Sequence, residues 1–433
     1  MSEALAKRLF GFSLAFLLAA AMFGYGVATV KYEIWPYSAI TGVAQAVRSL
    51  KEFGELVPEG RRVRAQDDWS RESFTIHTPE MIEYGYYVFA GWDSENEIHA
   101  AWLYDNQGDL RHTWPIDYYA LDPDGPSNGG DTPHPFYLLE DGSIIVGWDA
   151  GDVMARLDEC GEPMWTKDGV FHHSLSRAED GSFWTWRGDQ TAYGHYNYME
   201  NFNPDTGQKI QEIALVEDVI ARMGSSSAVF GVRPDHPFER MERDPDDMKS
   251  FLTRDIFHPN DVDVLYSEFA PLFPMFEAGD LLLSFRTLNL VAVIDPDDRR
   301  IKWWSHGPWI GQHDPDFTAD GKISVFNNNT GKGRSEIIKM DPMTKEFSND
   351  LFDGEVSFST AYKGKHQYLP NGNIIIVVPG EGRVLEVTSE GDKVMEFNNL
   401  SSVSREYNEH VFNAMRIGLD YFQTAPQCSG SRP

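Results

Sequence analysis

The chain is short of sulfur, short of positive charge and free of the motifs that bind nucleotides. Two cysteines occur in 433 residues, Cys160 and Cys428, which excludes a disulfide-framed scaffold. They allow one pairing, which an oxidising compartment would permit and which would pin the C-terminus to the body of the chain; the sequence leaves it open. Lys and Arg number 37 against 67 Asp and Glu, a formal charge of -30, which argues against nucleic acid as a partner and against adhesion to anionic lipid through the body of the protein. An anionic substrate would be repelled overall, so a site for one needs locally concentrated positive charge. No Walker loop, Cys-x-x-Cys or dinucleotide fingerprint is present, so no nucleotide cofactor is expected, and no close-spaced histidine pair calls for a metal. Disorder is excluded by 41% apolar and 24% charged residues, the balance of an ordinary globular chain.

The one long uncharged run is Leu9 to Val30, 22 residues preceded by Lys7 and Arg8. At about 1.5 Å per residue it matches a bilayer core of about 30 Å. It exceeds a signal-peptide core of about 7–15 residues, which favours an uncleaved anchor over a cleaved leader. The basic flank keeps the N-terminus cytoplasmic, so the expectation is a single-pass protein of the bacterial inner membrane with its bulk on the periplasmic side. Residues 1–31 are read as the anchor and 32–72 as a juxtamembrane helix and linker, with Tyr32, Trp35 and Tyr37 as interfacial aromatics and an amphipathic helix from Ser38 to Leu56.

Beyond residue 72 the chain repeats itself. His77, His134, His173 and His313 each stand eight residues ahead of a glycine (Gly85, Gly142, Gly181, Gly321), while His258 reaches Gly279 after a longer apolar detour. After each glycine, and after Gly372, comes a β-type run, a second run, a tight acidic turn such as Asp158–Gly161 or Asp295–Asp298, and a third strand, sometimes with a tryptophan such as Trp114, Trp165 or Trp303. The glycine-to-glycine intervals are 57, 39, 98, 42 and 51 residues, near the period of a four-stranded propeller blade where no insertion intervenes. An all-β six-bladed β-propeller over residues 73–400 is therefore expected, with an insertion at 216–253 and a tail at 401–433. Within the tail, Tyr407 to Tyr421 reads equally as a closing strand or a short helix. A residue that holds its place in a repeated unit around an axis holds its place in space, so the histidines should converge.

Three segments carry more than spacing. They are Phe171–Leu175 (FHHSL); His258–Leu265 (HPNDVDVL) leading to Leu283–Asn289 (LSFRTLN); and Gly311–Phe317 (GQHDPDF) leading through Asp320 and Gly321 to Val325–Asn329 (VFNNN). In this order they resemble the bacterial arylsulfate sulfotransferase family, six-bladed propellers that use no nucleotide sulfate donor. The resemblance implies that His313 is the nucleophile, His258 a second active-site histidine, Arg286 the active-site arginine and His173 a third histidine. His173 is preferred to His172 because only it keeps the eight-residue spacing. The chain departs from better-known members in having no room for a sizeable N-terminal β-domain.

Those residue types suit sulfuryl transfer. An arginine fork binds sulfuryl oxygens, a neutral imidazole can attack sulfur, and neighbouring imidazoles can stabilise charge or exchange protons. The catalytic set is thus His313, His258, Arg286 and His173. The substrate-binding set is Asn260, His172, His134 and His77, with Asn260 placed to orient an imidazole and His77 and His134 also readable as hydrogen-bonded structural groups. The implied partners are an aryl sulfate donor, a phenolic or other hydroxyl acceptor, the membrane, and a homodimer mate or membrane complex. The alternative is a catalytically silent, membrane-anchored propeller acting as scaffold or subunit.

Overall fold

In the computed structural model of the chain, residues 3–32, 62–66, 69–126, 130, 133–188, 198–230, 257–349 and 356–428 are described. The chain divides into two compact units, Met1–Arg61 and Arg62–Pro433.

In the first unit, Glu3–Tyr32 is an α-helix of 30 residues, so the expected anchor segment is helical. Among the described residues, however, no helix is long and apolar enough to cross a membrane, and the span itself is not part of the observed fold. Most of the linker, including the amphipathic helix expected at Ser38–Leu56, lies outside the described residues.

The second unit is a six-bladed propeller, as expected. Each blade is an antiparallel sheet of four or five strands. The second blade runs Pro133–Leu138, Ile144–Trp148, Val153–Leu157, Pro163–Asp168; the third Val170–Arg177, Phe183–Gly188, Tyr198–Phe202, Lys209–Ala214. The fourth runs Pro259–Val264, Leu281–Phe285, Leu290–Asp295, Arg300–His306; the fifth His313–Phe317, Ile323–Asn327, Glu336–Met340, Phe347–Asn349. The hairpin between inner and second strand turns on a glycine held left-handed, as at Gly142 (φ 85°) and Gly181 (φ 85°), a conformation that costs glycine nothing.

Ring closure departs from the sequence reading. The first blade (Tyr86–Asp93, Ile98–Asp105, Leu110–Ile116) takes its innermost strand from the C-terminus, Val411–Ile417, so the propeller reaches beyond residue 400 into the segment read as a tail. The chain before Tyr86 goes elsewhere: Phe74–Ile76 pairs with Met395–Phe397 as the outermost strand of the sixth blade (Lys365–Tyr368, Ile374–Val378, Arg383–Val387, Lys393–Asn398). Gly85 is therefore no hairpin glycine. A Cβ there would lie 2.2 Å from the Ile417 carbonyl oxygen, so glycine is needed for the approach of the closing strand.

Six buried apolar clusters lie between neighbouring blades, one for each junction of the ring. Tryptophans latch the junctions at the outer edge, where Trp114 Nε1 donates to the Gly142 carbonyl at 2.8 Å, Trp165 to Pro204 at 2.7 Å and Trp303 to Pro342 at 3.0 Å. The 216–253 insertion starts as core: Leu215–Phe230 forms helical turns whose Leu215, Val216, Val219, Ile220 and Phe230 pack between the third and fourth blades. Residues 231–256 lie outside the described residues.

Cys160, in a turn of the second blade, is disulfide-bonded to Cys428 across 268 residues, so the segment after the closing strand is tied back to the ring. Closing so long a loop restricts the unfolded chain and is worth on the order of 4–5 kcal/mol in the chain-entropy view. The double variant Cys160→Ala/Cys428→Ala should melt roughly 5 °C or more below the parent by circular dichroism while keeping its β spectrum. An unchanged melting temperature would show that the bridge does not restrain the chain.

Candidate active site

The inner strands carry the site. In five of the six the register slips near the same end, at Pro133/Phe136, His172/Leu175, Pro259/Asp261, His313/Pro315 and Val411/Asn413. Each slip leaves one extra residue on the inner strand, two at His172/Leu175, and such an insertion, as in a β-bulge, re-aims the side chains. The backbone there is left-handed at His173 (φ 63°), His258 (φ 43°) and Asp314 (φ 50°), conformations a non-glycine residue keeps only when its surroundings impose them. The sixth blade has no slip at this end but a left-handed pair instead, Lys363 (φ 58°) and Gly364 (φ 109°). The result is a cavity lined by His134, His173, Asn260, Asp261, His313, Asp314, Lys363, Gly364, Lys365 and Phe412. Its walls are largely the bulged residues and their neighbours.

The imidazoles converge as the spacing predicts. Ring centroids lie 4.5 Å apart for His134 and His173, 5.1 Å for His173 and His258, and 6.0 Å for His173 and His313. His134 Nδ1 also stands 3.2 Å from the Asp149 carboxylate. His172 is fully buried behind His173, with the two Nδ1 atoms 2.6 Å apart; one proton lies between them, and His172 does not line the cavity. His77 is not at the axis. It sits exposed beyond the outermost strand of the sixth blade, its Nε2 3.4 Å from Glu396, because the strand that would have carried it inward is supplied by the C-terminus.

The residue in the place expected of His77 is His410, which immediately precedes the closing strand and whose Nε2 is 3.5 Å from Lys363 Nζ. The signal was present: 418 − 410 = 8, the same interval from His410 to Gly418, and 372 − 364 = 8 from Gly364 to Gly372. The latter marks the sixth blade's position as a glycine flanked by Lys363 and Lys365.

His313 is held at both nitrogens. Asn328 donates through Nδ2 to the Thr360 and Lys363 carbonyls at 3.0 and 2.6 Å, which fixes its amide with Oδ1 toward His313 Nδ1 at 2.6 Å. Nδ1 therefore carries the proton, and Nε2 accepts the Lys363 backbone N–H at 3.1 Å. Burial pushes the His313 pKa well below the ordinary histidine range, Arg286 adds to the effect, and the Asn328 bond opposes it without reversing it. His173 and His134 are likewise lowered, first by burial; around His173 the other imidazoles add to the shift, around His134 Lys363 and neighbouring imidazoles do. These three rings are neutral near pH 7, so fixed positive charge comes from Arg286 and Lys363 rather than from them. Arg286 follows the second strand of the fourth blade in a short 3-10 turn, and its backbone N–H donates to the His258 carbonyl at 3.0 Å. Asn260 Nδ2 donates to the Gln312 carbonyl at 2.7 Å, while its buried Oδ1 has no hydrogen-bond partner.

Deeper along the same strands the lining turns acidic. Asp314 accepts from the His366 ring at 2.9 Å and lies 3.3 Å from Lys365 Nζ; burial pushes its pKa up, but Lys365 and His366 outweigh it and hold it down at about 2. Asp263, pushed up to about 7 by burial against the amides of Phe317 and Val264, and Asp316 complete the group. Ligand atoms of His173, His258 and His313, and those of Asp314, Asp316 and His366, lie within 4.8 Å of one another. Both nitrogens of His313 and both of His366 are, however, hydrogen-bonded within the protein. With Arg286 and Lys363 beside the first set, the arrangement suits an anion better than a metal ion.

A closed six-bladed propeller with neutral imidazoles and fixed cations at one end of its axis defines the class. The family model for arylsulfotransferase (ASST) matches residues 136–400, and the chain belongs to that family. No curated protein matches the sequence. Among solved structures, a protein of unknown function from Bacteroides caccae is similar at 10% identity and TM-score 0.47, covering 72% of this chain and 94% of that one. TolB from Acinetobacter baumannii is similar at 11% identity and TM-score 0.44, covering 76% and 66%. A catalytically inactive virginiamycin B lyase from Staphylococcus aureus is similar at 13% identity and TM-score 0.35, covering 63% and 72%. At these scores the likenesses bear on neither substrate nor mechanism.

The His313 assignment is open to direct measurement. Long-range ¹⁵N–¹H NMR on histidine-labelled protein should show His313 as the Nδ1–H tautomer, unchanged as pH falls from 8 to about 6, where an ordinary histidine of pKa about 6.5 is mostly protonated. In Asn328→Ala the tautomer should become mixed. A His313 signal that titrates near 6.5 refutes the assignment.

Proposed function

We propose that the protein transfers a sulfuryl group from an aryl sulfate to a phenolic or other hydroxyl acceptor through a sulfo-histidine on His313, with no nucleotide donor. One observation carries the reading: a neutral imidazole with its tautomer fixed, Nε2 unprotonated, in a cavity beside Arg286 and Lys363. Family membership supports aryl sulfate transfer at the level of the family.

The chemistry follows from those groups. His313 Nε2 gives its lone pair to sulfur and the S–O bond to the aryl group breaks with its electrons on oxygen. The hydrogen bond from the Lys363 amide has to yield, since it uses the same lone pair. Charge grows on the sulfuryl oxygens and the leaving oxygen, where Arg286 offers a guanidinium fork and Lys363 an ammonium in a largely desolvated site. Asn328 stabilises the positive charge that the ring gains on sulfation by accepting from Nδ1–H. The acceptor oxygen then attacks sulfur, the N–S bond breaks, and its electron pair returns to Nε2, a two-step course with ping-pong kinetics.

We also infer that the N-terminal helix anchors the propeller on the extracytoplasmic side of the inner membrane. Supporting this are Lys7 and Arg8 before the uncharged run, the exposure of Phe12, Phe16, Leu17 and Phe23 on the helix, and the disulfide, which persists in oxidising compartments.

Incubated with 4-nitrophenyl sulfate alone, the wild type should show one added SO₃ on the His313 peptide by mass spectrometry, discharged by a phenol. His313→Ala should lose turnover while keeping its melting profile, and Arg286→Met should lose on the order of 10²–10³-fold in kcat. Full turnover in His313→Ala refutes the mechanism. For location, a carbonate wash of membranes should retain the full chain and release one lacking residues 1–31; release of both refutes the anchor.

A further inference from the structure

The transfer needs a proton that His134, His173 and His313 are poorly placed to give. A phenolate leaving an aryl sulfate must be protonated at some point, and the acceptor hydroxyl must lose its own proton when it attacks sulfur. His173, His134 and His313 are neutral near pH 7, and a neutral imidazole N–H is a far weaker acid than a phenol. The cavity contains another acid. Where the inner strand of the fourth blade slips register, Asn260 is the extra residue and Asp261 resumes pairing with Ser284. Asn260 and Asp261 both line the cavity, in company with His173, His313 and Lys365. Asp261 is only 4% exposed, and the two other carboxylates nearest it electrostatically are Asp314 and Asp263.

Resting on the sulfuryl-transfer reading, we propose that Asp261 is the general acid and base of the reaction, protonating the departing aryl oxygen and later receiving the proton of the acceptor hydroxyl. In the first half-reaction the S–O(aryl) bond breaks, the oxygen takes the Asp261 proton, the phenol leaves, and Asp261 is left as a carboxylate. In the second, the acceptor's O–H proton passes to Asp261 as its oxygen bonds to sulfur and the N–S pair returns to His313. Atoms and charge balance over the cycle with no exchange of protons with solvent.

Three observations support the role. Asp261 lines the same cavity as His313, so a group bound at His313 shares that cavity with the carboxyl. Ser174, the residue after His173, ties the third blade to this strand next to Asp261: its hydroxyl oxygen accepts the Val262 N–H at 2.8 Å. Burial drives the Asp261 pKa well up, with Asp314 and Asp263 adding and Lys365 opposing, which favours the protonated carboxyl. Lys365 is also the counter-ion present when Asp261 becomes a carboxylate. A buried carboxylic acid kept neutral so that it can donate a proton is a known way to run acid chemistry near pH 7.

The test compares leaving groups. With saturating phenol acceptor, kcat/KM for 4-nitrophenyl sulfate, whose phenol leaves without help, and for phenyl sulfate, whose phenol is a much weaker acid, should diverge in Asp261→Asn. Phenyl sulfate should fall on the order of 100-fold, the usual scale of general-acid assistance, and 4-nitrophenyl sulfate less than about 5-fold. Asp261→Glu should recover part of the phenyl sulfate rate, and melting curves of both variants should match the parent.

Equal losses on the two donors, or the leaving-group dependence appearing in His258→Asn and not in Asp261→Asn, overturn the proposal. If Asp261→Asn fails to fold, the Glu variant decides: losses of equal size on phenyl sulfate and 4-nitrophenyl sulfate in Asp261→Glu overturn the proposal. Absence of sulfuryl transfer in the wild type is a different result, which removes the parent reading.

Discussion

The site depends on one strand pairing. Val411–Ile417 lies against Tyr86–Gly91, and without it the first blade has no inner strand, the cluster between the sixth and first blades loses Val411 and Ala414, and the axis is open on one side. Phe412 and His410 would leave the vicinity of the cavity with it. An open ring could still stack its blades, but it could not bring side chains from six blades to one place. The disulfide that follows the strand restrains the same end of the chain, so covalent and noncovalent restraints act on one closure.

Given closure, the bulges do the aiming. A regular inner strand sends alternate side chains to its two faces, and one extra residue breaks that alternation. Hence Asn260 and Asp261, and also His313 and Asp314, adjacent in sequence, line one cavity. This gives the fourth and fifth inner strands an amide or imidazole beside a carboxylate, and the two types behave differently: the imidazoles are neutral because they are buried together, and Asp314 stays ionised because Lys365 and His366 face it. In a chain with a formal charge of -30, Arg286 and Lys363 thereby concentrate positive charge beside His313.

The repeat was legible because it is written twice, in glycines that turn the hairpins and in histidines at a fixed distance before them. His134, His173 and His313 went where the spacing put them, and His258 joined them despite its longer interval to Gly279. His77 did not, although its interval to Gly85 is the same eight residues, because spacing cannot distinguish a hairpin glycine from one that makes room for a strand 330 residues away. His410 carried the same interval but lay in a segment whose short apolar pattern fits helix and strand alike. Lys363 had no spacing signal at all, since the repeat position of the sixth blade is glycine and the cation reaches the cavity from the residue before it. His172 shared the motif with His173, and only the bulge separates the buried ring from the one on the cavity wall.

Local chemistry written along the chain was enough to define the repeat, the turns, the excess of acid and the residue types of sulfuryl transfer, because each is a property of a few neighbouring residues. Which strand completes the first blade, which nitrogen of His313 is unprotonated and which carboxyls share its cavity were decided only in three dimensions. Those depend on partners tens to hundreds of residues apart, such as Asn328 and Lys363 for His313 and Lys365 beside Asp261 in the cavity, and no local pattern encodes a contact across the ring.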